Sequence, residues 1–279
     1  MRRRAFNRLI ESPIQQMSES SAVDRWAAAL AEWAIPQHIV DQAPESPWIH
    51  PPALFGVPQD IPQTPSHERA REALPEGGTV LDIGCGGGIA VAALVPKVAY
   101  AIGVDHQEAM LNLFAASMAE RGVASETVHG DWPEVAMRTP SADVVTCHHV
   151  VYNVSEITPF VRALTNHAKH RVVVEMPAAH PLSNLRDAWR HFWGIERPTE
   201  PGPELFLDVL HNLGISANVE FFESEMRGDL EEDLAVINTR IRLCLNKSRD
   251  DEIRDFLHSH PASPTRALAT VWWDVDQRG

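Results

Sequence analysis

Apolar residues recur along the chain in two alternating periods, and that alternation predicts the architecture. Short apolar runs at 79–83, 98–104, 125–129, 142–147 and 170–175 have the length and composition of strands buried on both faces. Between them, stretches at about 88–95, 107–121, 155–168 and 203–213 carry helical spacing. Strand followed by helix, repeated, predicts a parallel sheet with helices on both faces and right-handed crossovers. Upstream, Ser21 or Asp24 is placed to cap an alanine-rich helix through Trp26–Trp33, which Pro36 limits, and Ser66 is expected to open another helix that stops before Pro75. The proline-rich stretch 43–52 is irregular, but Trp48, Ile49, Leu54 and Phe55 are costly to leave in water and predict packing against the core. Late in the chain, 216–223 and 267–274 read as strands. The segment between them, about 224–265, is too long for a hairpin loop; Leu230, Leu234, Ile237, Ile241 and Leu245 make one helical stripe, and Ile253, Phe256 and Leu257 suggest a second helix. The expected division is an N-terminal helical and irregular cap segment, 1–65, and a main domain, 66–279, with the insertion helping to cover the sheet's carboxyl edge.

Chemistry enters at Thr79–Gly88. The strand Val80-Leu81-Asp82-Ile83 breaks into Gly84-Cys85-Gly86-Gly87-Gly88, and an apolar helix start follows. Strand, glycine turn and helix form a nucleotide-binding arrangement, since glycines permit a sharp turn and a close approach while the helix start offers free N–H groups. The G-x-G-x-x-G of dinucleotide enzymes is not met, because Ile89 stands at the third glycine's place. Asp82 beside the turn would repel a pyrophosphate and attract an ammonium group. Asp105, 21 residues after Gly84 at the end of the second strand, has the spacing of a carboxylate that bonds ribose hydroxyls, a feature shared with dehydrogenases; it also suits a helix N-cap.

The run Leu81-Asp82-Ile83-Gly84-Cys85-Gly86-Gly87-Gly88 resembles the first motif of class I S-adenosylmethionine (SAM)-dependent methyltransferases. The resemblance covers about residues 70–176 well and 177–279 loosely. It implies a Rossmann-like, seven-stranded, mostly parallel sheet ending in an antiparallel hairpin, and SAM as cofactor. It places Asp82, Gly84, Cys85, Gly86, Gly88, Asp105, His106 and His148 around the cofactor, with Asp131 at the adenine amino group and the Trp132 backbone N–H at a ring nitrogen. Asp131 also fits an N-cap, with Pro133 near the first helical position. The fourth strand leads into His148-His149-Val150-Val151-Tyr152-Asn153; an Asn-Pro-Pro-Tyr motif of amino-group methylators is absent there. Adjacent histidines in an extended chain point to opposite sides, which argues against a shared metal, and no metal is expected. His148 or His149 is the candidate proton acceptor. Trp48, Tyr152, Asn153 and His180 are candidates for the acceptor side, with Glu175 near them, whereas the aromatics at 189–193 have the spacing of core residues.

Composition narrows the substrate. The 279 residues carry a net charge of −14, which disfavours a nucleic-acid partner, and the only dense basic run is Arg2-Arg3-Arg4. No apolar run approaches the roughly 20 residues of a bilayer span, and no signal-peptide core follows the basic start. Cys85, Cys147 and Cys244 are too few and too scattered for a disulfide framework. These features predict a cytoplasmic protein with a small-molecule substrate, and the resemblance implies that it methylates that substrate by in-line displacement. The rival expectations are a non-catalytic SAM-binding interaction protein and a NAD-dependent oxidoreductase.

Overall fold

The computed structural model describes residues 21–48, 56–225, 231–261 and 263–275. Expectations for Arg2–Arg4, Ile49, Leu54, Phe55 and Leu230 fall outside these residues. The seven-stranded sheet has strands β1 (Gly78–Ile83), β2 (Val98–Asp105), β3 (Ala124–His129), β4 (Ala142–His148), β5 (Ala168–Pro177), β6 (Asn218–Glu225) and β7 (Thr265–Asp274). Their spatial order is β3-β2-β1-β4-β5-β7-β6. Strands β1 to β5 are parallel, while β7 runs antiparallel between β5 and β6. The order reverses between β1 and β4, the point where open α/β sheets bind ligands beyond the strands' carboxyl ends.

Strand periodicity divides the core into two. Leu81, Ile83, Val145, Cys147, Val172 and Val174 face one side of the sheet, packed with residues of α1 (Ala22–Ala31), α6 (Ile157–His167) and α8 (Pro203–Asn212). Val80, Val144 and Val173 face the other side, toward α3 (Pro65–Ala73), α4 (Ile89–Ala92) and α5 (Glu108–Glu120). A third cluster joins Ile39 of α2 (Gln37–Val40), Trp189 of α7 (Arg186–Trp193), Val236 of α9 (Glu232–Arg242) and Ile253 and Phe256 of α10 (Asp250–Ser259). The two helices expected between the last strands are thus α9 and α10.

The N-terminal segment divides between these cores. Helix α1 belongs to the sheet, because Trp26 is fully buried in the first cluster. Ile35, Ile39 and Ala43 belong to the third cluster. Arg197 ties that cluster to the body, its guanidinium 5.0 Å from the ring centroids of both Trp33 and Trp189.

Some local expectations need correction. The helix after the glycine turn spans only Ile89–Ala92, since Gly88 in left-handed geometry (φ 88°) is its N-cap and Pro96 lies close downstream. Helix α3 is opened by Thr64, with Pro65 at the first helical position, and not by Ser66; Ser66 instead bonds Thr270 at 2.6 Å. The expectation of core spacing for the aromatics at 189–193 holds: they lie in α7, with Trp189 buried and Phe192 and Trp193 packed against the third cluster.

Candidate functional site

The glycine turn is a left-handed staircase. Gly84, Gly86 and Gly88 have φ of 68°, 49° and 88°, values open to glycine at little cost. The Gly84 and Cys85 N–H groups both donate to the Val104 carbonyl, at 2.8 and 3.0 Å, locking the turn to the end of β2. Gly86 N–H donates to Asp105 Oδ2 at 3.1 Å, and Gln107 N–H donates to Oδ1 at 2.9 Å. The N-cap of α5 is therefore Gln107 and not Asp105, whose buried carboxylate instead holds the Gln107 N–H and sits against the glycine turn.

Asp82 lies on the same face of β1 as Val80, opposite Thr146 of β4, whose hydroxyl donates to Asp82 Oδ1 at 2.8 Å. Burial pushes the Asp82 carboxyl up to about 7, and the Asp105 charge adds to this while the Thr146 bond opposes it. Two carboxyl groups thus sit together at the switch point, and no cationic side chain contributes to the Asp82 shift. A cationic ligand relieves such a pair and a phosphate aggravates it.

This arrangement predicts a pH signature. The native Asp82 carboxyl keeps its proton to about pH 7, whereas an unfolded one releases it near 3.8. Between those values the native state binds more protons, so this group's contribution falls as pH rises. Burial draws His148 down to about 4, against the opposing pull of Glu175, and its contribution runs the other way. The expected result is that wild-type melting temperature declines relative to Asp82→Asn as pH is raised from about 4 to 7. Parallel curves for the two proteins in differential scanning calorimetry would contradict it.

At the end of β3, Asp131 is exposed and is not an N-cap, the next helical turn, Ala136–Arg138, being capped by Val135; Trp132 is buried, edge-on to His167 at 4.9 Å, and its Nε1 has no partner among the described residues. His106 is exposed, its Nδ1 3.6 Å from Asp105 Oδ1. Cys85 is buried within the turn, which raises its thiol.

Beyond β4 the two histidines, expected to point to opposite sides, both act on Glu175, because the chain turns at His149. His148 continues the strand opposite Glu175, with Nε2 buried and unpaired. His149 leaves it in left-handed geometry (φ 61°), and its Nε2 lies 3.0 Å from Glu175 Oε1 and 3.3 Å from Arg266 Nη2. Tyr152 lies edge-on to His180, ring centroids 5.6 Å apart, and burial raises its phenol. His180 stacks on Trp33 at 3.8 Å, and burial, with Arg197, draws it down to about 4. Asn153 is exposed. Trp48, expected to pack against the core, is instead 55% exposed, because the segment is held through its backbone: the preceding Pro47 carbonyl accepts from Arg242 of α9.

Sequence reasoning missed His67, Thr64, Thr146 and Arg266, and left Glu175 without a role. The His67 ring is 5.8 Å from that of His148, and Thr64 Oγ1 donates to Glu175 Oε2 at 3.1 Å. Burial would raise the Glu175 carboxyl, but the His149 hydrogen bond, the His148 and His149 rings and Ser66 hold it well below the usual carboxylate range. The available signal was a polar residue inside an apolar run, as in Val172-Val173-Val174-Glu175-Met176 and Val144-Val145-Thr146-Cys147. Among the described residues, no group of three or more His, Cys, Asp or Glu side chains converges as a metal site, and no helix is long and apolar enough to cross a membrane.

Residues 80–171 match the family described as "Methyltransferase domain". Over 100 residues the chain is 35% identical to the ubiquinone biosynthesis O-methyltransferase of Hahella chejuensis, a match covering 36% of this chain and 42% of that protein. The chain spans about two-fifths of the length of the O-methyltransferases it matches in this way. An uncharacterised protein of Haemophilus influenzae is 26% identical over 208 residues, covering 71% of this chain and 76% of its own. A solved structure from Bacillus halodurans, assigned by name to the methyltransferases, superposes with a TM-score of 0.51 at 16% identity over 76% of this chain and 98% of its own; it shares the fold. Through residues 80–171, then, the chain is similar to methyltransferase domains, and its seven-stranded sheet has the fold of the Bacillus halodurans structure.

Proposed function

We propose that the protein binds SAM across the carboxyl ends of β1, β2 and β3 and transfers its methyl group to a small-molecule acceptor. The observation that carries this reading is the pair Asp82 and Asp105 on a left-handed glycine turn at the switch in strand order. Bound SAM supplies an activated methyl group on a sulfonium, with an ammonium and a ribose whose chemistry matches two carboxyl groups. The orphaned Trp132 Nε1 is a further buried donor that a ligand would satisfy.

In this reading Asp105 accepts from the ribose hydroxyls with its remaining lone pairs, and Asp82 accepts from the ammonium of the amino acid end, whose positive charge favours release of the Asp82 proton. The glycines let the backbone approach. Asp131, His106 and the Trp132 backbone flank the adenine side, and His148 the sulfur side. The protein's work is to position the acceptor and exclude water. Acceptor specificity falls to Trp48, Tyr152, Asn153 and His180, closed over by the 33–48 segment and the 224–265 insertion; Trp33 stacked on His180 supports that placement. The sequence relatives named as O-methyltransferases favour oxygen as the methylated atom.

The test is titration calorimetry with SAM and S-adenosylhomocysteine in the presence of EDTA. Both ligands are expected to bind. Asp105→Ala should weaken them by about 1–3 kcal/mol, because it removes a charged acceptor and the anchor of the Gly86 N–H. Folded protein that binds neither ligand, or Asp105→Ala binding as tightly as wild type, would refute the assignment.

A further inference from the structure

We propose that His149 Nδ1 is the proton acceptor for a hydroxyl substrate, and that Glu175 is the positioning residue that fixes its tautomer against Arg266. This deepens the methyl-transfer reading and rests on it. His149 is held in left-handed backbone geometry, a costly state outside glycine, by its own N–H bonded to the Glu175 carbonyl at 2.8 Å. Its Nε2 faces two groups of opposite character: Glu175 Oε1 at 3.0 Å, which only accepts as a carboxylate, and Arg266 Nη2 at 3.3 Å, which only donates.

A single ring nitrogen satisfies one of them. Glu175 is buried in β5, ionised, and steadied on its other oxygen by Thr64 Oγ1 at 3.1 Å. Leaving it without a donor costs more than leaving exposed Arg266 to water. The Nε2 proton therefore goes to Glu175, and Nδ1 of the neutral ring carries the lone pair. Nδ1 is buried and has no partner among the described residues. A lone pair shut away from water is satisfied by the X–H group of a bound molecule.

The other titratable or charged groups facing this cluster are His148 from β4, His67 from α3 and Tyr152 after β4. Burial draws His67 and His148 toward their neutral forms, and the Glu175 carboxylate is the counter-charge for a proton arriving on His149. The step balances. The acceptor oxygen forms a bond to the methyl carbon, the carbon–sulfur bond breaks with its electron pair staying on sulfur, and the hydroxyl proton passes to Nδ1. A neutral amine attacks with a free lone pair and needs no such base, so the device suits oxygen.

Long-range 1H–15N NMR of the full-length protein, with and without S-adenosylhomocysteine, reads the tautomer directly. The expected wild-type pattern is a protonated Nε2 and an unprotonated Nδ1 on His149. Glu175→Leu leaves Arg266 as the only partner, so Nε2 becomes the acceptor and the two signals exchange roles. Glu175→Gln keeps an acceptor in place and should restore the wild-type pattern. A wild-type proton on Nδ1, or an unchanged pattern in Glu175→Leu, overturns the proposal. With SAM and the matched probes catechol and o-phenylenediamine, transfer to oxygen should be the faster. Glu175→Leu should lower kcat on catechol about 100-fold with the KM for SAM unchanged. Transfer to the diamine at an equal or higher rate overturns the hydroxyl assignment. Failure to bind S-adenosylhomocysteine would instead sink the cofactor reading, with the tautomer still readable in the unliganded protein.

Discussion

Trp26→Ala is expected to cost about 3–5 kcal/mol of stability, the range of a large aromatic removed from a closed core. The helix that carries it is well founded. Ser21 caps α1 by accepting from Asp24 N–H at 3.1 Å, and the Asp24 carboxylate accepts in return from Ser21 N–H at 3.3 Å. The Trp26 ring packs 5.6 Å from Phe206 of α8, tilted by 49°, and its Nε1 donates to the Val154 carbonyl at 2.8 Å. Alanine would leave a cavity against the sheet and an orphaned carbonyl together. Urea denaturation measures the effect as a lowered midpoint at unchanged slope. A loss below about 1 kcal/mol would mean that α1 detaches without disturbing the sheet core.

Gly84→Ala is expected to cost about 2–4 kcal/mol, from two causes that a control separates. At φ 68° any side chain pays for left-handed geometry, and a Cβ here would also come within 2.4 Å of Val150 Cγ2. Gly122 has φ 70°, but nothing lies within 4 Å of its added Cβ, so Gly122→Ala pays only the backbone cost of about 1–2 kcal/mol. The difference between the two variants is the steric part. Because Val150 follows His148 and His149, relief of the clash would shift the proposed proton-accepting site, and SAM affinity and turnover should fall together. Equal stabilities for the two variants would show that Val150 yields freely.

The contrast between what could be read in the chain and what could not has a physical origin. Strands β1, β4 and β5 are buried on both faces and so appear as apolar runs, each broken in its buried part by a single polar residue, Asp82, Thr146 or Glu175. The glycine turn was legible because its geometry admits few other residues, and Asp105 because its distance from the turn is set by one strand-helix-strand unit. Helix ends were less so. Thr64 and Ser66 are equally good caps by type, and the choice was made by Ser66 turning to Thr270 across 204 positions of sequence. Glu175 and His149 meet through the β4–β5 register, His148 opposite Glu175, and no local pattern encodes a register between strands separated by a helix. Arg266 arrives from β7, more than a hundred residues after His149, through the antiparallel hairpin. The candidate cofactor contacts are thus local in sequence, whereas the proposed proton-transfer contacts are long-range.

The placement of β7 carries a consequence for synthesis. Strand β5 is complete at Pro177, yet its second neighbour is β7, which begins at Thr265 and is followed in the sheet by β6. A ribosome must therefore add almost ninety further residues, including all of α7 to α10, before that edge of the parallel sheet can be covered. Throughout that interval β6 has no strand to pair with, because its ladder is made with β7 alone. An open edge of Val172-Val173-Val174 beside an unpaired strand is the kind of surface that invites association between nascent chains. The hairpin that closes the sheet is thus also a safeguard against such association, and β6, the second strand left waiting for β7, carries the charges Glu220, Glu223 and Glu225.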